Sequence, residues 1–182
     1  MIFARSERLL LRRPRETDLE PLLSSWTDAE AVKYVNQRED VRAFLVGLIG
    51  DMKTKVPGDQ EPSGAWYQYV AERTEDGAVV GDIGVGFFIP GEWQVELGYR
   101  ILPAHRRRGY AKEALAALIA HLIEAHGIHR FVGVAASGNA ASIAVLRSLG
   151  FRREGSFRQS YWCNGAWLDD EYFALLASEW RG

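Results

Sequence analysis

The clearest chemical pattern in the sequence is a basic junction between an apolar segment and a long amphipathic one. It consists of Arg106, Arg107, Arg108, Gly109, Tyr110, Ala111 and Lys112. We expect a helix to begin at about Gly109, because the first turn of a helix has backbone N–H groups without partners and carries partial positive charge. Gly109 lets the backbone approach a ligand closely, and Ala111 keeps the next turn small. These features predict a diphosphate site with three arginines beside it, although composition alone is equally compatible with a basic solvated loop.

A second candidate is the carboxylate of Glu96, in the middle of a predicted strand. Side chains alternate along a strand, so Glu96 lies on the face opposite Val95 and Leu97. Arg100 shares the face of Glu96, but it is about 13 Å away by strand rise, too far for a close pair. A central carboxylate without a local partner is a candidate general base, and burial would raise its pKa toward a useful value. The alternative is an ion pair with a residue distant in sequence.

The spacing of apolar residues predicts the elements that position these groups. In chain order they are a strand at 8–14, helices opening at Thr17 and after Arg38, strands at 66–73, 79–89 and 92–102, a helix that Gly127 ends, a strand at 130–136, a helix from Asn139 to Gly150, and strands at 151–163 and 166–177. A loop is predicted at 55–64, and turns at 75–77, 90–91 and Asn164-Gly165. This order predicts an α/β (α+β) fold: a mixed, mostly antiparallel twisted sheet of about seven strands with helices on both faces.

Length and charge limit the classes of function. The 182 residues suit a single domain, 1–182, and can bury a substantial core. A formal net charge of -2 argues against nucleic acid or an anionic membrane as a partner. No apolar run approaches the ~20 residues that cross a bilayer. The single cysteine, Cys163, cannot form an internal disulfide, so we expect a reducing, cytoplasmic location.

The junction also matches a known signature. Arg106-x-x-Gly109-x-Ala111 resembles the acetyl-CoA pyrophosphate-binding motif of the GNAT superfamily of N-acetyltransferases, Gln/Arg-x-x-Gly-x-Gly/Ala. It stands between a predicted strand and a long helix, as the family requires, and the flanking runs 95–99 and 112–115 match too. The dinucleotide-binding pattern G-x-G-x-x-G is absent from the sequence. The resemblance therefore implies acetyl-CoA as the cosubstrate.

Two later segments extend the resemblance over nearly the whole chain. Asn139-Ala140-Ala141-Ser142, with Gly150-Phe151 after it, resembles the family's Asn-x-x-Ser helix that ends in Gly-Phe. The tail, with Arg153-Glu154-Gly155, the later hairpin and Tyr172, resembles the ribosomal-protein-alanine acetyltransferase (RimJ/RimL-like) branch. These motifs are specific for the superfamily and say little about the acceptor.

The resemblance implies how the cosubstrate is held. A V-shaped gap is expected between the fourth and fifth predicted strands, 92–102 and 130–136, with the pantetheine arm lying in it like an extra strand. Its amides are expected to pair with the backbone near Ile101 and Leu102, and Asn139 and Ser142 to contact it from the helix. Asn139 is also expected to be the N-cap of that helix. The diphosphate is expected at 106–112. The reaction implied is direct attack of an amine on the thioester, without a metal.

Direct transfer requires a base for the amine and a group that stabilises the leaving thiolate. Glu96 is the expected base. Many relatives place a tyrosine seven residues after the asparagine, but this chain has Leu146 there. Ser142, one helical turn earlier, is the nearest hydroxyl on that helix and is the expected replacement. Glu154 is a weaker candidate, Cys163 is not expected to be a nucleophile, and the four histidines are expected to be structural or at the surface.

The acceptor is expected to be a primary amine, more specifically a peptide or protein α-amine. The predicted terminal hairpin is rich in aromatic residues that could hold an extended peptide: Tyr161, Trp162, Trp167, Tyr172 and Phe173. The same residues could instead pack a homodimer interface. Two further alternatives stay open: acetylation of small amines such as polyamines or aminoglycosides, and a non-catalytic module that binds acyl-CoA. The sequence does not fix whether the acyl group is acetyl or another.

Overall fold

The computed structural model describes residues 2–55, 65–87 and 93–182, which form one sheet of eight strands with four α-helices. The strands are β1 (Ile2–Arg5), β2 (Leu9–Arg12), β3 (Ala65–Arg73), β4 (Val79–Phe87), β5 (Gln94–Ile101), β6 (Arg130–Ala136), β7 (Arg152–Cys163) and β8 (Ala166–Leu176). The helices are α1 (Leu19–Trp26), α2 (Val41–Asp51), α3 (Tyr110–His126) and α4 (Ala140–Ser148). Short 3-10 turns join several of them.

The strand order across the sheet is β1-β2-β3-β4-β5-β6-β8-β7. All neighbouring pairs are antiparallel except β5 and β6, which are parallel. The β5–β6 ladder runs from Gln94↔Arg130 to Glu96↔Val132 and then stops. Beyond Glu96 the two strands separate, so the predicted mixed sheet and its gap between the fourth and fifth predicted strands are confirmed.

Helices cover both faces of the sheet, and strand alternation decides which residues each face presents. On one face, Val95 and Leu97 of β5 belong to the main core with Leu115 and Leu118 of α3. On the other face, Val70 of β3 packs with leucines of α1 and α2. Glu96 points to this second face because it alternates with Val95 and Leu97. The face of β5 that carries Val95 and Leu97 is therefore covered by α3, and Glu96 lies on the opposite face, the one that α1 and α2 cover.

The sequence missed one strand and placed the others closely. β1 pairs antiparallel with β2, although its four residues were not predicted as a strand. The terminal hairpin turns at Asn164 and Gly165, whose φ angles of 48° and 89° are those of the predicted two-residue turn. The predicted loop at 55–64, apart from Lys55, and the turn at 90–91 lie outside the described residues. Within the described ranges, no helix is long and apolar enough to cross a membrane.

Candidate active site

The junction between β5 and α3 has an unusual backbone. Arg107 and Gly109 both have positive φ angles, 60° and 81°, before α3 begins at Tyr110. Within the described residues, the backbone N–H groups from Arg107 to Lys112 donate no hydrogen bond. Consecutive free N–H groups in such a turn form an anion-binding concavity, and the helix dipole adds positive potential. The predicted diphosphate site is therefore compatible with the backbone geometry.

The three arginines of the junction do not point the same way. Arg106 is turned inward, where its Nη2 lies 2.5 Å from Asp28 Oδ2 and its Nε donates to the Ile101 carbonyl at 3.2 Å. Arg107 and Arg108 are exposed and form no ion pair with the residues described. The guanidinium of Arg106 thus fastens the junction to β5 and to the segment after α1, and the outer two arginines supply the free positive charge. The sequence predicted all three as cationic side chains beside the diphosphate.

Glu113 fixes the position of the first turn of α3. Its carboxylate accepts hydrogen bonds from Ser6 Oγ at 2.7 Å, from the Arg8 backbone N–H at 2.8 Å and from Arg8 Nε at 2.7 Å. The Arg8 guanidinium lies 4.7 Å from the centre of the Tyr110 ring. Tyr110 is buried, so it presents its backbone rather than its phenol at the junction. The β1–β2 turn therefore holds the first turn of α3, and with it the candidate anion site, in place.

The edge of β5 that faces the gap is formed by alternate residues. The N–H of Leu102 donates to the Val80 carbonyl at 2.9 Å, so Leu102 and Arg100 direct their backbone groups toward β4. Tyr99 and Ile101 therefore direct theirs toward the gap, since backbone groups alternate along an antiparallel ladder. The pairing edge is Tyr99 and Ile101 rather than Ile101 and Leu102, a change of one residue from the predicted position.

A pair of hydroxyls joins β5 to α4, on the main-core face of the sheet. The Tyr99 hydroxyl lies 2.8 Å from Ser142 Oγ and donates to the Ser142 carbonyl at 3.0 Å. Burial raises the pKa of Tyr99 to about 12, and the contact with Ser142 opposes that rise. Asn139 accepts from the Ser142 N–H at 3.1 Å and so caps α4 as predicted. Sequence reasoning missed Tyr99 because it was assigned to the apolar face of its strand.

Leu146 occupies the position at which the GNAT resemblance implies a tyrosine. It is buried, and its side chain lies over Gly133 of β6, where a Cβ would come within 2.6 Å of Leu146 Cδ2. An aliphatic side chain fills this space, so no hydroxyl is available there. The Tyr99–Ser142 pair is the nearby source of hydroxyl protons in the described part of the gap.

Glu96 lies on the opposite face of β5, where the strands begin to separate. Burial raises its pKa, and the negative charge of Asp170 raises it further. Asp170 is on the same sheet face as Glu96. Glu96 pairs with Val132 of β6, Ala136 lies four residues further along β6 on the same face, and Ala136 pairs with Asp170. Glu96 makes no ion pair with any described residue, so this part of the chain gives no support to the alternative of a long-range salt bridge. Asp170 is a second site carboxylate that the sequence did not indicate.

An aromatic platform lies beside Glu96. The indole of Trp66 covers three glycines, and a Cβ on Gly86 would come within 2.8 Å of it. A Cβ on Gly98, the neighbour of Glu96 along the same face, would lie 3.5 Å from the ring. Trp66 is 40% exposed. Small residues beneath it therefore let a tryptophan lie flat against the sheet with one surface open to a ligand.

The tip of the terminal hairpin is fastened over this side of the sheet. Asn164 Nδ2 donates to the Val32 carbonyl at 2.8 Å, and Asn36 Nδ2 donates to the Trp162 carbonyl at 2.9 Å. The Asn36 N–H also donates to the Tyr161 hydroxyl at 3.1 Å. These bonds join the segment between α1 and α2 to the hairpin that the sequence assigned to the acceptor.

Other residues considered from the sequence have structural roles. Glu154 forms an ion pair with Arg130 at the sheet edge. Cys163 is buried, and burial raises the pKa of its thiol. His121 packs against Phe3, with ring centres 4.3 Å apart. Within the described ranges, no group of three or more His, Cys, Asp or Glu side chains is arranged to hold a metal ion.

Comparison with known families decides the identity of this arrangement. The sequence profile described as an acetyltransferase (GNAT) domain matches residues 8–152. The chain belongs to the GNAT acetyltransferase family. GNAT enzymes use acetyl-CoA, so the chain is an N-acetyltransferase, and the free N–H groups of the junction suit the diphosphate of this cosubstrate.

Sequence similarity to known acetyltransferases extends over most of the chain. An uncharacterised N-acetyltransferase of Bacillus subtilis, YnaD, is 29% identical and covers 97% of this chain and 98% of its own length. An L-methionine sulfoximine/L-methionine sulfone acetyltransferase of Pseudomonas aeruginosa is 31% identical over 71% of this chain and 81% of its own length. The GNAT assignment therefore rests on sequence as well as on fold.

Solved GNAT structures share the fold. An acetyltransferase from Bacillus anthracis superposes with a TM-score of 0.84, covering 98% of this chain and 100% of its own, at 24% identity. Mycobacterium smegmatis RimJ, in complex with CoA-disulfide, has a TM-score of 0.80, 23% identity and coverage of 94% and 83%. A Vibrio cholerae spermidine N-acetyltransferase, in complex with CoA and spermine, has a TM-score of 0.80, 18% identity and coverage of 96% and 98%. These likenesses confirm the GNAT architecture of the enzyme.

Proposed function

We propose that this GNAT enzyme works as one domain and transfers an acetyl group from acetyl-CoA to the α-amine of a peptide or protein by direct attack. The observation that carries the proposal is the position of Glu96. It is a half-buried carboxylate without an ion-pair partner among the described residues, and it stands where β5 and β6 separate. A base at this point is beside the gap that suits the thioester.

Acetyl-CoA would be held by backbone groups. Its diphosphate would accept from the N–H groups of 107–112, with Arg107 and Arg108 beside it and Arg106 holding the loop. The pantetheine arm would extend the edge of β5 through Tyr99 and Ile101, and Asn139 would contact it from the start of α4. The cosubstrate thus supplies an activated acetyl group, and the protein fixes its orientation.

Glu96 would remove the proton of the incoming amine, directly or through a water. An α-amine has an ordinary pKa near 8, so most of it is protonated at neutral pH and needs a base. Burial and Asp170 raise the pKa of Glu96 toward that value, which makes it a stronger proton acceptor than an exposed glutamate. Asp170 would hold the positive charge of the ammonium before the proton is lost.

Tyr99 and Ser142 would stabilise the sulfur as it leaves. A thiol has an ordinary pKa near 8.5, well below the value of about 12 for Tyr99, so the phenol keeps its proton and acts as a hydrogen-bond donor. Ser142 supplies the second hydroxyl of the pair. The pair lies on the α4 face of β5 and Glu96 lies on the other face, so proton removal and thiolate stabilisation would take place on the two faces of the sheet.

The α-amine is favoured over a lysine side chain by its basicity. The ordinary pKa of lysine is about 10.4, so roughly 3 kcal/mol more is needed to deprotonate it. Exposed aromatic residues on the acceptor side, Trp66, Phe157 and Tyr172, could hold a peptide by stacking. Small amines are the second candidate, because Glu96 and Asp170 together form an acidic site. Solved structures with the same fold include enzymes for both types of acceptor, a ribosomal L7/L12 alpha-N-protein acetyltransferase (RimL) and a spermidine N-acetyltransferase.

A thiol-release assay with acetyl-CoA tests the proposal. The acceptors are N-terminal peptides, lysine-bearing peptides with blocked N-termini, polyamines and aminoglycosides, and mass spectrometry locates the acetyl group. We expect acetylation of the α-amine. Acetyl groups found on lysines or small polyamines alone would contradict the acceptor assignment, and release of no thiol with any amine would favour a non-catalytic acyl-CoA-binding module.

A further inference from the structure

Arg100 stands on the same face of β5 as Glu96, at the far end of the Trp66 platform. Its guanidinium lies 3.8 Å from the centre of the Trp26 ring, and its Nη1 is 3.6 Å from Asp82 Oδ2. Asp82 is fully buried beneath it. These contacts fix the direction of a cationic side chain that the proposed reaction does not use.

A second guanidinium lies close to the first. Arg38, in the segment before α2, lies 3.6 Å from the centre of the Phe44 ring. Phe44 and Trp26 contact each other, with ring centres 5.1 Å apart, so the two arginines are carried by neighbouring rings. Burial lowers the pKa of Arg100, the charge of Asp82 opposes this, and the positive charge of Arg38 lowers the pKa further.

The charges of this cluster do not balance. Arg38 is exposed and makes no ion pair with the described residues, while Asp82 is directed at Arg100. Asp82 therefore pairs with Arg100 alone, and Arg38 carries an unpaired positive charge on the solvent side, among the described residues. Arginine is well suited to carboxylate recognition because its planar group donates two parallel hydrogen bonds.

The surface between Glu96 and Arg100 is open to a ligand. Gly98 separates them on the shared face and has no side chain, and the Trp66 indole lies above it. By strand rise the Cα atoms of Glu96 and Arg100 are about 13 Å apart, a span that their side chains shorten. An acceptor lying on Trp66 would thus have acid at one end, Glu96 with Asp170, and guanidinium at the other.

We propose that Arg38 and Arg100 form a specificity site for a carboxylate on the acceptor whose amine is bound at Glu96. This inference rests on the proposed transfer to an amine and narrows its substrate class to amines that also carry a negative charge. An acidic side chain near the N-terminus of a peptide and the terminal carboxylate of a short peptide both supply this chemistry. Polyamines and aminoglycosides carry positive charge where the arginines would repel it.

The test compares acceptors that differ in one charge. Tetrapeptide amides with Glu or Gln at the second or third position probe an acidic side chain, and dipeptides and tripeptides of alanine as free acids or amides probe a terminal carboxylate. The thiol-release assay gives kcat/KM for each. We expect the charged member of at least one pair to exceed the neutral member at least tenfold. That ratio should fall at least fivefold in Arg38→Gln and in Arg100→Gln.

Matched variants make the result specific. Arg42→Gln removes an exposed arginine of α2 that pairs with Glu20, and it should keep the wild-type ratio. Arg38→Glu should reverse the preference, so that peptides with Lys at the same position exceed those with Glu. Arg100 contacts buried Asp82, so replacing Arg100 can destabilise the fold. Arg38 is exposed, so its variants should fold and the test can be decided on them.

The other possible results of this test distinguish failure of the carboxylate site from failure of the proposed function. Equal rates for all pairs, with turnover, would overturn the carboxylate site and leave the acetyl transfer intact. A preference for acidic acceptors that survives both arginine substitutions, or faster turnover of spermidine than of every acidic acceptor, would also overturn it. No turnover of any amine would overturn the proposed function itself.

Discussion

At the scale of single residues, the environment of Glu96 sets a pH dependence. As the proposed base, Glu96 acts in its carboxylate form. Burial and the charge of Asp170 raise its pKa, so we expect kcat/KM to fall as pH drops through a value above the ordinary range of a glutamate. Asp170→Asn removes the neighbouring negative charge and should move this limb to lower pH. Glu96→Gln should lower kcat by roughly 10²–10⁴-fold and abolish the limb. Steady-state kinetics from pH 5 to 9 measure both.

Glu154→Gln is the control for this prediction. Glu154 forms an ion pair with Arg130 at the sheet edge, so its replacement should leave both the rate and the profile as in the wild type. Full activity of Glu96→Gln with an unchanged profile would show that the base lies elsewhere.

The hydroxyl pair gives a second residue-scale prediction. Tyr99→Phe removes a donor that would meet a developing thiolate, and a hydrogen bond to a charged group contributes about 1.5–3 kcal/mol. We expect kcat to fall about ten- to hundredfold, with the acetyl-CoA KM within about threefold of the wild type. Because the two hydroxyls act as one pair, Tyr99→Phe/Ser142→Ala should lose much less than the product of the single losses. Multiplicative losses measured in a double-mutant cycle would argue against a shared role.

At the scale of elements, the β5–α3 junction depends on one glycine. Gly109 has a φ of 81°, and a Cβ there would meet only Arg8 Nη2, at 3.5 Å. A glutamate at this position brings backbone strain and a negative charge beside the diphosphate. Calorimetry should therefore show that Gly109→Glu binds CoA more than tenfold more weakly, which is about 1.4 kcal/mol.

Gly127→Ala is the matched control, since Gly127 ends the same helix with a φ of 61° and has open space around it. It carries a similar backbone strain far from the junction, so CoA affinity should stay at the wild-type level. A folded Gly109→Glu protein that binds CoA as tightly as this control would exclude the junction as the diphosphate site.

Local signals explain what the sequence could predict at this scale. The junction, the Asn139 cap and the Asn164-Gly165 turn are each specified by a few neighbouring residues, and their predictions agree with the structure. The Tyr99–Ser142 contact joins residues 43 positions apart, and no local pattern encodes it. β1 escaped prediction because four residues are too few to establish an alternating pattern.

At the scale of the whole molecule, buried Asp82 links stability to pH. Burial raises its pKa to about 6, whereas its ordinary value is 3.8. Between these values the folded protein binds more protons than the unfolded chain, so this group makes the free energy of unfolding fall as pH rises from about 4 to about 6. Asp82→Asn removes that dependence.

Urea denaturation measures the effect. The free energy of unfolding of Asp82→Asn minus that of the wild type should increase by on the order of 2 kcal/mol between pH 4 and pH 7. The attraction between ionised Asp82 and Arg100 is one of the causes that set this pKa, so its loss is already included in the expected change. If this difference in the free energy of unfolding is the same at pH 4 and pH 7, the pKa of Asp82 is not raised in the folded protein.

The short β5–β6 ladder has a consequence for the enzyme at rest. The sheet is interrupted at its centre, because the ladder ends at Glu96↔Val132 and the outer backbone groups of β5 face a gap. A cosubstrate that fills this gap completes the sheet and binds the folded state alone, which stabilises it by about 2.7 kcal/mol at a concentration of one hundred times its Kd. We therefore expect the melting temperature of this protein to rise, and the hydrogen exchange of Tyr99 and Ile101 to slow, as the concentration of acetyl-CoA increases.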